Sequence, residues 1–400
     1  QLSVNVDVVK PGLTNIHFYP MPFAHEFKHG KWDFWELVNY DCLRGSGPSL
    51  DFEPESTDYH YLPNAATKVM KKGDSSISER CTVSGNACLI EWEFKDISDS
   101  TLSFELPYYA ADFRSQSIAE GKQVYTISIK DQVFVAFAFS GVNVDAADES
   151  KAESFKCSWK LSLSGGSGKV YVSFVCGYDR ELTVCEALKA IKSPETVFAA
   201  SEKMWNDYFT KVVPYFESSD RDLERLYYYI AWVTRTNYYD IPYEPFTHPY
   251  TSPWKTGALW QWSWNTPVAT AQERWLNDKI IGESGISLIA DNGGALNIGS
   301  YLHPLKKQTA LRNHNDQTKV QVDYKLNGLP KEYDMQALCT MAHTSPNGLL
   351  NTWEFYLCSG NREWMKSMLD LMIEAEKEFS LYALDNGLCT CMFVDDYDYS

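Results

Sequence analysis

The sequence lacks long apolar runs and has too few basic residues to balance its acidic ones. No stretch of about 18 apolar residues occurs among its 400 residues, so no membrane-spanning helix is predicted. Lys and Arg number 36 against 53 Asp and Glu, which gives a net charge of -17. This excess would repel anionic nucleic acid or membrane surfaces, so neither is predicted as the main partner. A neutral ligand is compatible with it, and nothing in the sequence specifies an oligomeric state.

Several patterns that mark common catalytic or cofactor sites are also absent. The sequence contains no Gly-x-Ser-x-Gly motif, no phosphate-binding loop and no Cys-x-x-Cys pair. The glycine-rich run Gly165-Gly166-Ser167-Gly168 precedes an alternating apolar segment instead of a helix, which excludes a dinucleotide loop at that place. We therefore predict no cofactor and no metal site.

The cysteines and the missing glycosylation signal leave the cellular compartment open. No Asn-x-Ser/Thr acceptor is present. Ten Cys are compatible with free thiols in a reducing cytoplasm and with one or two disulfides outside it, and we favour the cytoplasm slightly. Cys81 and Cys88 flank a short turn that contains a glycine and could pair. Cys389 and Cys391 are too close together for a relaxed disulfide with each other.

Residues 1–185 are predicted to form an antiparallel β-sandwich domain. Apolar and polar residues alternate in the segments 89–94, 101–106 and 124–129, as they do in half-buried strands. Segments 157–163 and 170–175 also alternate and are separated by a Ser/Gly turn, so we predict that they form a hairpin. Many short strands joined by short turns are typical of a sandwich.

The hydrophobic spacing then changes to that of helices. Residues 186–217 are predicted as a helical linker, in which Ser193 and Pro194 begin a helix and Pro214 ends one. Residues 218–400 are predicted as an all-helical domain. Its helices are expected at residues 219–237, 267–276, 279–290, 333–342, 352–358 and 362–383.

A tryptophan-rich segment, residues 249–265, separates the first two of these predicted helices. It holds four tryptophans within eleven residues: Trp254, Trp260, Trp262 and Trp264. Indole rings stack on the apolar faces of sugars, and the amides of Gln261 and Asn265 would hydrogen-bond sugar hydroxyls. The segment therefore predicts a sugar subsite. The alternative is that these rings only fill apolar space at the mouth of a helical domain.

Carboxylates alternate with aromatic rings at the end of the sequence. Asp395, Asp396 and Asp398 follow a predicted helix, and the C-terminal end of a helix disfavours negative charge. A carboxyl group whose pKa is raised in this way can donate a proton near neutral pH. The segment therefore predicts a catalytic acid, with a solvated acidic loop or a calcium site of clustered oxygens as alternatives.

Three motifs occur in a characteristic order along the second half of the chain. They are Trp262-Ser263-Trp264-Asn265-Thr266, Thr344-Ser345-Pro346 followed by Ser359-Gly360-Asn361-Arg362-Glu363-Trp364, and Asp396-Tyr397-Asp398-Tyr399-Ser400. Together they resemble the glycosidases that combine an N-terminal β-sandwich with an (α/α)6 barrel. The likeness is greatest to glycoside hydrolase family 63 and its trehalase-like and mannosylglycerate-hydrolase-like relatives, and it covers about the last 180 residues.

The resemblance implies an inverting glycoside hydrolase that acts on α-linked glucosides or related oligosaccharides. Asp398 stands where the family has its general acid, whereas the family's general base lies beyond Ser400. The barrel is therefore expected to be truncated and the chain to carry part of an active site. Because Gln1 is not an initiator Met, an N-terminal piece before it is also expected to have been removed. The expected substrate-binding residues are Trp254, Trp260, Gln261, Trp262, Trp264, Asn265, Trp353 and Asp396.

Two departures from the family pattern keep other functions open. Asn265 stands where many relatives have Asp, and an amide cannot take a proton at neutral pH. Asp396 occupies the glycine position of the last motif. A disaccharide phosphorylase and a non-catalytic carbohydrate-binding protein therefore remain alternatives to the hydrolase.

Overall fold

A computed structural model describes the larger part of the chain as two compact units. The described residues are 2–18, 42–44, 47–97, 99–106, 114–117, 124–129, 133–140, 144–151, 154–240, 248–251, 261–262, 271–291, 301–302, 306–308, 322–324 and 347–380. The two units meet in sequence between Asp207 and Tyr208. The first is mostly β-structure and the second mostly helical, so a multidomain β + α fold is confirmed. The predicted boundaries at residues 185 and 217 stay predictions.

The first unit contains three antiparallel sheets. Their orders are β1-β2-β3, β10-β11-β12-β15-β8-β7-β6-β5 and β13-β14-β9-β4. The strands are β1 Leu2–Val6, β2 Leu13–Phe18, β3 Cys42–Arg44, β4 Gly47–Leu50, β5 Ser56–Leu62, β6 Ala65–Lys72, β7 Ser75–Ser84, β8 Ala87–Lys95, β9 Asp99–Leu106, β10 Arg114–Ser117, β11 Val124–Ile129, β12 Val133–Ser140, β13 Val144–Lys151, β14 Ser154–Ser162 and β15 Gly168–Gly177.

The eight-stranded and four-stranded sheets face each other, as in a sandwich. Phe104 of β9 packs on Phe137 of β12 and Phe174 of β15, with ring centroids 5.0 and 5.7 Å apart. All three rings are almost completely buried. Strand alternation places one side chain in two on the inner face, so these contacts form the core between the two sheets.

The predicted hairpin of residues 157–163 and 170–175 is wrong. β14 pairs with β9 and β13, whereas β15 pairs with β8 and β12 in the other sheet. The turn between them carries the chain from one sheet to the other, and its glycines Gly165 and Gly166 have φ angles of 70° and 71°. The amide of Ile97, at the neighbouring crossover from β8 to β9, donates to the Gly166 carbonyl at 2.8 Å. Local alternation identifies strands but does not specify partners across a turn.

A buried ion pair fastens the segment between β1 and β2 to the eight-stranded sheet. Lys68 Nζ lies 2.9 Å from Glu79 Oε1, and both side chains are fully buried. The ammonium also donates to the carbonyls of Asp7 and Lys10 at 2.6 Å. Glu79 Oε2 accepts from the Gly12 amide at 2.7 Å and from the Trp92 indole at 2.8 Å. Because both charges are paired and hydrogen-bonded, their burial is tolerated.

Two helices complete the first unit, α1 Arg180–Lys192 and α2 Pro194–Asp207. The α1 helix begins at the cap Asp179, whose carboxylate accepts from the Leu182 amide at 2.8 Å. Its apolar face packs on the eight-stranded sheet. The cluster there comprises Val124, Ala136, Ala138, Val175, Val184, Ala187 and Ile191.

The second unit contains four described α-helices: α3 Arg221–Thr236, α4 Ile280–Asp291, α5 Asn347–Ser359 and α6 Arg362–Ser380. A π-helical turn, Tyr208–Val212, precedes them, and a 3-10 turn, Glu273–Trp275, lies before α4. Short strand pairs join Tyr238–Tyr239 to Tyr250–Thr251, Gln261–Trp262 to Tyr301–Leu302, and Lys306–Gln308 to Val322–Tyr324. None of the described helices has the length and apolar character required to cross a membrane.

Helices α4, α5 and α6 pack around one small core. Ile286, Phe355 and Met368 are buried together, with Trp364 and Met372 against them. Gly282 lets α4 approach α5 closely, because a Cβ at this position would lie 2.0 Å from the Phe355 ring. The helices predicted at 219–237, 279–290, 352–358 and 362–383 are confirmed to within a few residues at their described ends. The α-helix predicted at 267–276 is wrong at its C-terminal end, where the 3-10 turn Glu273–Trp275 lies; residues 267–270 and 333–342 lie outside the described part of the chain.

Candidate functional site

Most of the sequence-predicted site lies outside the described residues. This applies to Asp396 and Asp398, to the stacking candidates Trp254, Trp260 and Trp264, and to the hydrogen-bonding candidate Asn265. Gln261 and Trp262 are described as a backbone strand that pairs with Tyr301–Leu302. The roles of all these residues therefore stay predictions.

Trp353 is the one predicted contact whose side chain is described. It lies on α5 and keeps 45% of its surface exposed. Its ring packs beside that of Tyr356, with centroids 5.5 Å apart and the planes tilted by 43°. A half-exposed indole on a helix can receive the apolar face of a ligand, which agrees with the role predicted for it without testing that role.

The most unusual ionisable group in the described helical unit is Glu273. Its side chain is fully buried, and burial raises its pKa to about 8, an increase that the hydrogen bond from Thr251 offsets only in part. The Thr251 hydroxyl donates to Glu273 Oε1. Glu273 Oε2 has no hydrogen-bond partner among the described residues. The carboxyl group is therefore protonated at neutral pH, because a buried carboxylate without a cation is strongly disfavoured.

Contacts on either side of Glu273 fasten its turn to the rest of the helical unit. The Gln272 amide donates to the Thr234 hydroxyl of α3. Arg274 pairs with Glu354 of α5, and its carbonyl accepts from Lys279 Nζ at 2.6 Å. The turn is thus held between α3, α5 and the start of α4, which makes the position of the buried carboxyl well defined.

A buried tyrosine, Tyr208, and a half-buried one, Tyr238, lie in the same region. The Tyr208 hydroxyl donates to the Ala231 carbonyl of α3 at 3.0 Å, and burial raises the pKa of Tyr208 far above its ordinary value. Burial likewise raises the pKa of Tyr238 to about 12, although Arg235 opposes the shift. The guanidinium of Arg235 stands over the Tyr238 ring at 5.2 Å. Both phenols are therefore protonated over the physiological pH range and act as neutral hydrogen-bond groups.

The hydrogen bond between Thr251 and Glu273 joins two positions that lie on either side of the four tryptophans 254–264 in sequence. Thr251 ends the strand Tyr250–Thr251, which pairs with Tyr238–Tyr239. Glu273 stands eight residues after Asn265, the last residue of the tryptophan-rich segment. The bond fixes the positions of Thr251 and Glu273 relative to each other. Because Glu273 is itself shielded from solvent, it suits a positioning role and not direct contact with a ligand.

A second buried carboxyl holds two helices together. Glu283 of α4 accepts from the Asn361 amide group at 2.9 Å. Asn361 Oδ1 in turn accepts from the Trp364 backbone amide, which caps α6. The Trp364 indole donates to the Ser287 hydroxyl at 3.0 Å. Asn361 and Trp364, which lie in one of the resemblance motifs, therefore set the contact between α4 and α6.

No cluster of three or more potential metal ligands exists among the described residues. The prediction of no metal site overlooked one sequence pattern, however. His25-Glu26-Phe27-Lys28-His29 has the His-Glu-x-x-His spacing that binds zinc when it lies on a helix. Those five residues lie outside the described part of the chain.

Sequence reasoning also missed Glu273. The residue lies in a turn of three residues, Glu273–Trp275, which is too short to produce a hydrophobic period. Its burial depends on Thr251, Thr234 and α5, which are distant in sequence. No local signal could have identified it.

The fold of the chain is similar to solved structures, whereas its sequence matches no family model and no curated protein. A candidate kojibiose phosphorylase from the human microbiome is similar over 86% of this chain and 47% of its own, with 9% identity and a TM-score of 0.48. A bacterial glucoamylase complexed with acarbose is similar over 95% of this chain and 66% of its own, with 9% identity and a TM-score of 0.49. A family GH92 glycosyl hydrolase is similar over 87% of this chain and 54% of its own, with 11% identity and a TM-score of 0.39.

The structures to which the chain is similar are carbohydrate-active enzymes, which is also the class that the sequence motifs resemble. The chain spans about half to two thirds of the length of these structures. At such identities and scores the similarity supplies no residue roles and no substrate.

Proposed function

We propose that this chain belongs to an inverting glycoside hydrolase that acts on α-linked glucosides or related oligosaccharides. Asp398 would be the general acid that protonates the departing glycosidic oxygen. A second carboxylate, which the described residues do not identify, would activate water on the opposite face of the sugar. In inverting enzymes these two groups stand roughly 6.5–9.5 Å apart, so that the water fits between them.

One structural observation supports this proposal more than any other. Thr251 and Glu273 are hydrogen-bonded and buried, so that the chain before and the chain after the four tryptophans are held together in the helical unit. A binding segment fixed at both ends loses less conformational entropy when a ligand binds. This is the arrangement expected of a preorganised sugar subsite.

Trp254, Trp260, Trp262 and Trp264 would supply the stacking surfaces of that subsite. The amides of Gln261 and Asn265, with the Asp396 carboxylate, would hydrogen-bond sugar hydroxyls, and Trp353 would extend the apolar surface. A mixture of flat apolar faces and a few polar groups is typical of ligand pockets, and it needs no charged ligand. The net charge of -17 agrees with a neutral substrate.

Turnover of a panel of α-linked disaccharides tests the reaction class. The longest natural form of the protein that contains this sequence is assayed with and without inorganic phosphate, and the first product is examined by proton NMR. We expect release of glucose without phosphate, with the anomeric configuration inverted. Turnover that requires phosphate would identify a phosphorylase, and binding without turnover would identify a carbohydrate-binding protein.

A further inference from the structure

Two buried thiols meet across the hairpin of β7 and β8 in the β-rich unit. The strands are joined by the two-residue turn Gly85-Asn86, and Ser84 is paired with Ala87 at its base. Gly85 has a φ of 59°, the positive value that short hairpin turns require. Cys81 and Cys88 follow on the two strands, and their Sγ atoms are 3.7 Å apart.

The register explains why these two side chains meet. Val83 lies opposite Cys88, and Cys81 lies opposite Ile90, so the two cysteines are diagonal neighbours on one face of the hairpin. Diagonal neighbours are farther apart than directly opposite residues, about 7–8 Å, and here the two side chains turn toward each other, which brings the Sγ atoms to 3.7 Å. Both sulfurs belong to free thiols in this structure. A disulfide needs a sulfur separation of about 2.05 Å, so the two side chains must move together by less than 2 Å in total.

The environment of the pair determines when it can react. Cys81 is 3% exposed and Cys88 is completely buried. The hydrogen bond with Cys88, together with burial, raises the pKa of the Cys81 thiol well above its ordinary value. Both sulfurs are buried, so a disulfide oxidant cannot reach either of them once the sheet has formed. Oxidation must therefore occur while the hairpin is assembling and its thiols are still accessible.

We propose that Cys81 and Cys88 form an intrachain disulfide when the protein folds in the presence of a disulfide oxidant such as oxidised glutathione. Both S–H bonds break and one S–S bond forms between the two Sγ atoms. The two electrons reduce the disulfide of oxidised glutathione, and the two protons go to the resulting glutathione thiols. The bond closes a ring of eight residues around the turn Gly85-Asn86.

The location gives this bond a structural consequence. β7 and β8 lie inside the eight-stranded sheet, with β15 and β6 on either side. A covalent link restricts the unfolded chain around the turn that joins these two strands, and so it stabilises the folded unit. Burial would then protect the bond from reductants. The proposal is independent of the glycosidase function, because it concerns only the β-rich unit.

Peptide mapping tests the proposal directly. The protein is unfolded, reduced, and refolded by dilution into either oxidised glutathione or excess dithiothreitol. Remaining thiols are then alkylated under denaturing conditions before digestion with trypsin. Cleavage after Arg80 and Lys95 leaves Cys81 and Cys88 in a single peptide, whereas Cys176 and Cys185 fall in two others. These two cysteines serve as internal controls, Cys176 being buried and Cys185 exposed.

The expected result is that peptide 81–95 from the glutathione sample carries no alkyl group and weighs two hydrogen atoms less than the dithiol form. The dithiothreitol sample should be alkylated at both positions. The oxidised protein should also melt at a higher temperature than the reduced one. This difference should persist in Cys185→Ser and vanish in Cys88→Ser.

Alkylation of both thiols in the glutathione sample would overturn the proposal, as would a bond from Cys88 to Cys176. The wild-type peptide map decides between these outcomes even if Cys88→Ser fails to fold.

Discussion

Replacing Glu273 by glutamine should change how the stability of the helical unit depends on pH. The carboxyl is fully buried, and its pKa in the folded protein is about 8, compared with an ordinary value of 4.5. Between these two values the unfolded chain is ionised at this position while the folded chain keeps its proton. The folded state therefore binds more protons, and the wild type loses stability as pH rises.

The size of this effect follows from the two pKa values. Each pH unit between about 4.5 and 8 costs the wild type about 1.4 kcal/mol. The loss reaches about 3 kcal/mol at pH 7 and about 5 kcal/mol above pH 8. Glutamine carries no titratable proton, so Glu273→Gln lacks this contribution. The difference in unfolding free energy between variant and wild type should therefore rise by about 1.4 kcal/mol per pH unit between pH 5 and pH 8.

Urea unfolding followed by tryptophan fluorescence at pH 5, 6, 7 and 8 measures this difference. The test is the slope of this difference against pH. Its absolute value is not the test, because an unpaired amide proton of glutamine lowers the stability of the variant by about 1–3 kcal/mol at every pH. Glu363→Gln is the matched control, since Glu363 is exposed at the start of α6. The unfolding free energy of Glu363→Gln should stay within about 0.5 kcal/mol of the wild-type value at each pH. Parallel curves for Glu273→Gln and wild type would refute the assignment of a protonated, buried Glu273.

Three further substitutions test the packing within each of the two units. Gly282→Ala should destabilise the helical unit by about 1–3 kcal/mol, because its Cβ would overlap the Phe355 ring; an unchanged melting temperature would contradict this. Lys68→Met should cost about 3–5 kcal/mol by leaving the Glu79 carboxyl without its cation, and adding Glu79→Gln should restore part of that loss in urea unfolding. Phe104→Ala should cost about 3–5 kcal/mol in the same assay if the two sheets share one core.

Local sequence patterns predicted the elements of this fold well. The segment 124–129 alternates from Tyr125 onward and is the strand β11, and Asp220 begins α3 by accepting from the Asp222 and Leu223 amides. Such patterns act over a few residues, since they reflect which face of a strand or helix is buried and how a helix end is capped. They can therefore be interpreted without knowledge of the rest of the chain.

Partners that are distant in sequence were not predictable in this way. β14 and β15 alternate as a hairpin would, yet the intervening turn crosses between sheets, because pairing also depends on β8, β9 and β12. The Lys68–Glu79 pair and the Thr251–Glu273 bond have the same origin. Each polar group is buried only because several elements meet around it, and no spacing within one segment carries that information.

The most direct test of the glycosidase proposal compares Asp398→Asn with Asp395→Asn in the longest natural form of the protein. Both variants remove one negative charge from the same acidic segment, but only Asp398 occupies the predicted acid position. Hydrolysis of an unactivated α-linked disaccharide needs protonation of the leaving oxygen, and general acid catalysis contributes roughly 10²–10⁴-fold to such reactions. We predict a loss of that order for Asp398→Asn and near-normal turnover for Asp395→Asn. Equal activity of the two variants, or no hydrolysis by the wild type on any sugar, would contradict the account.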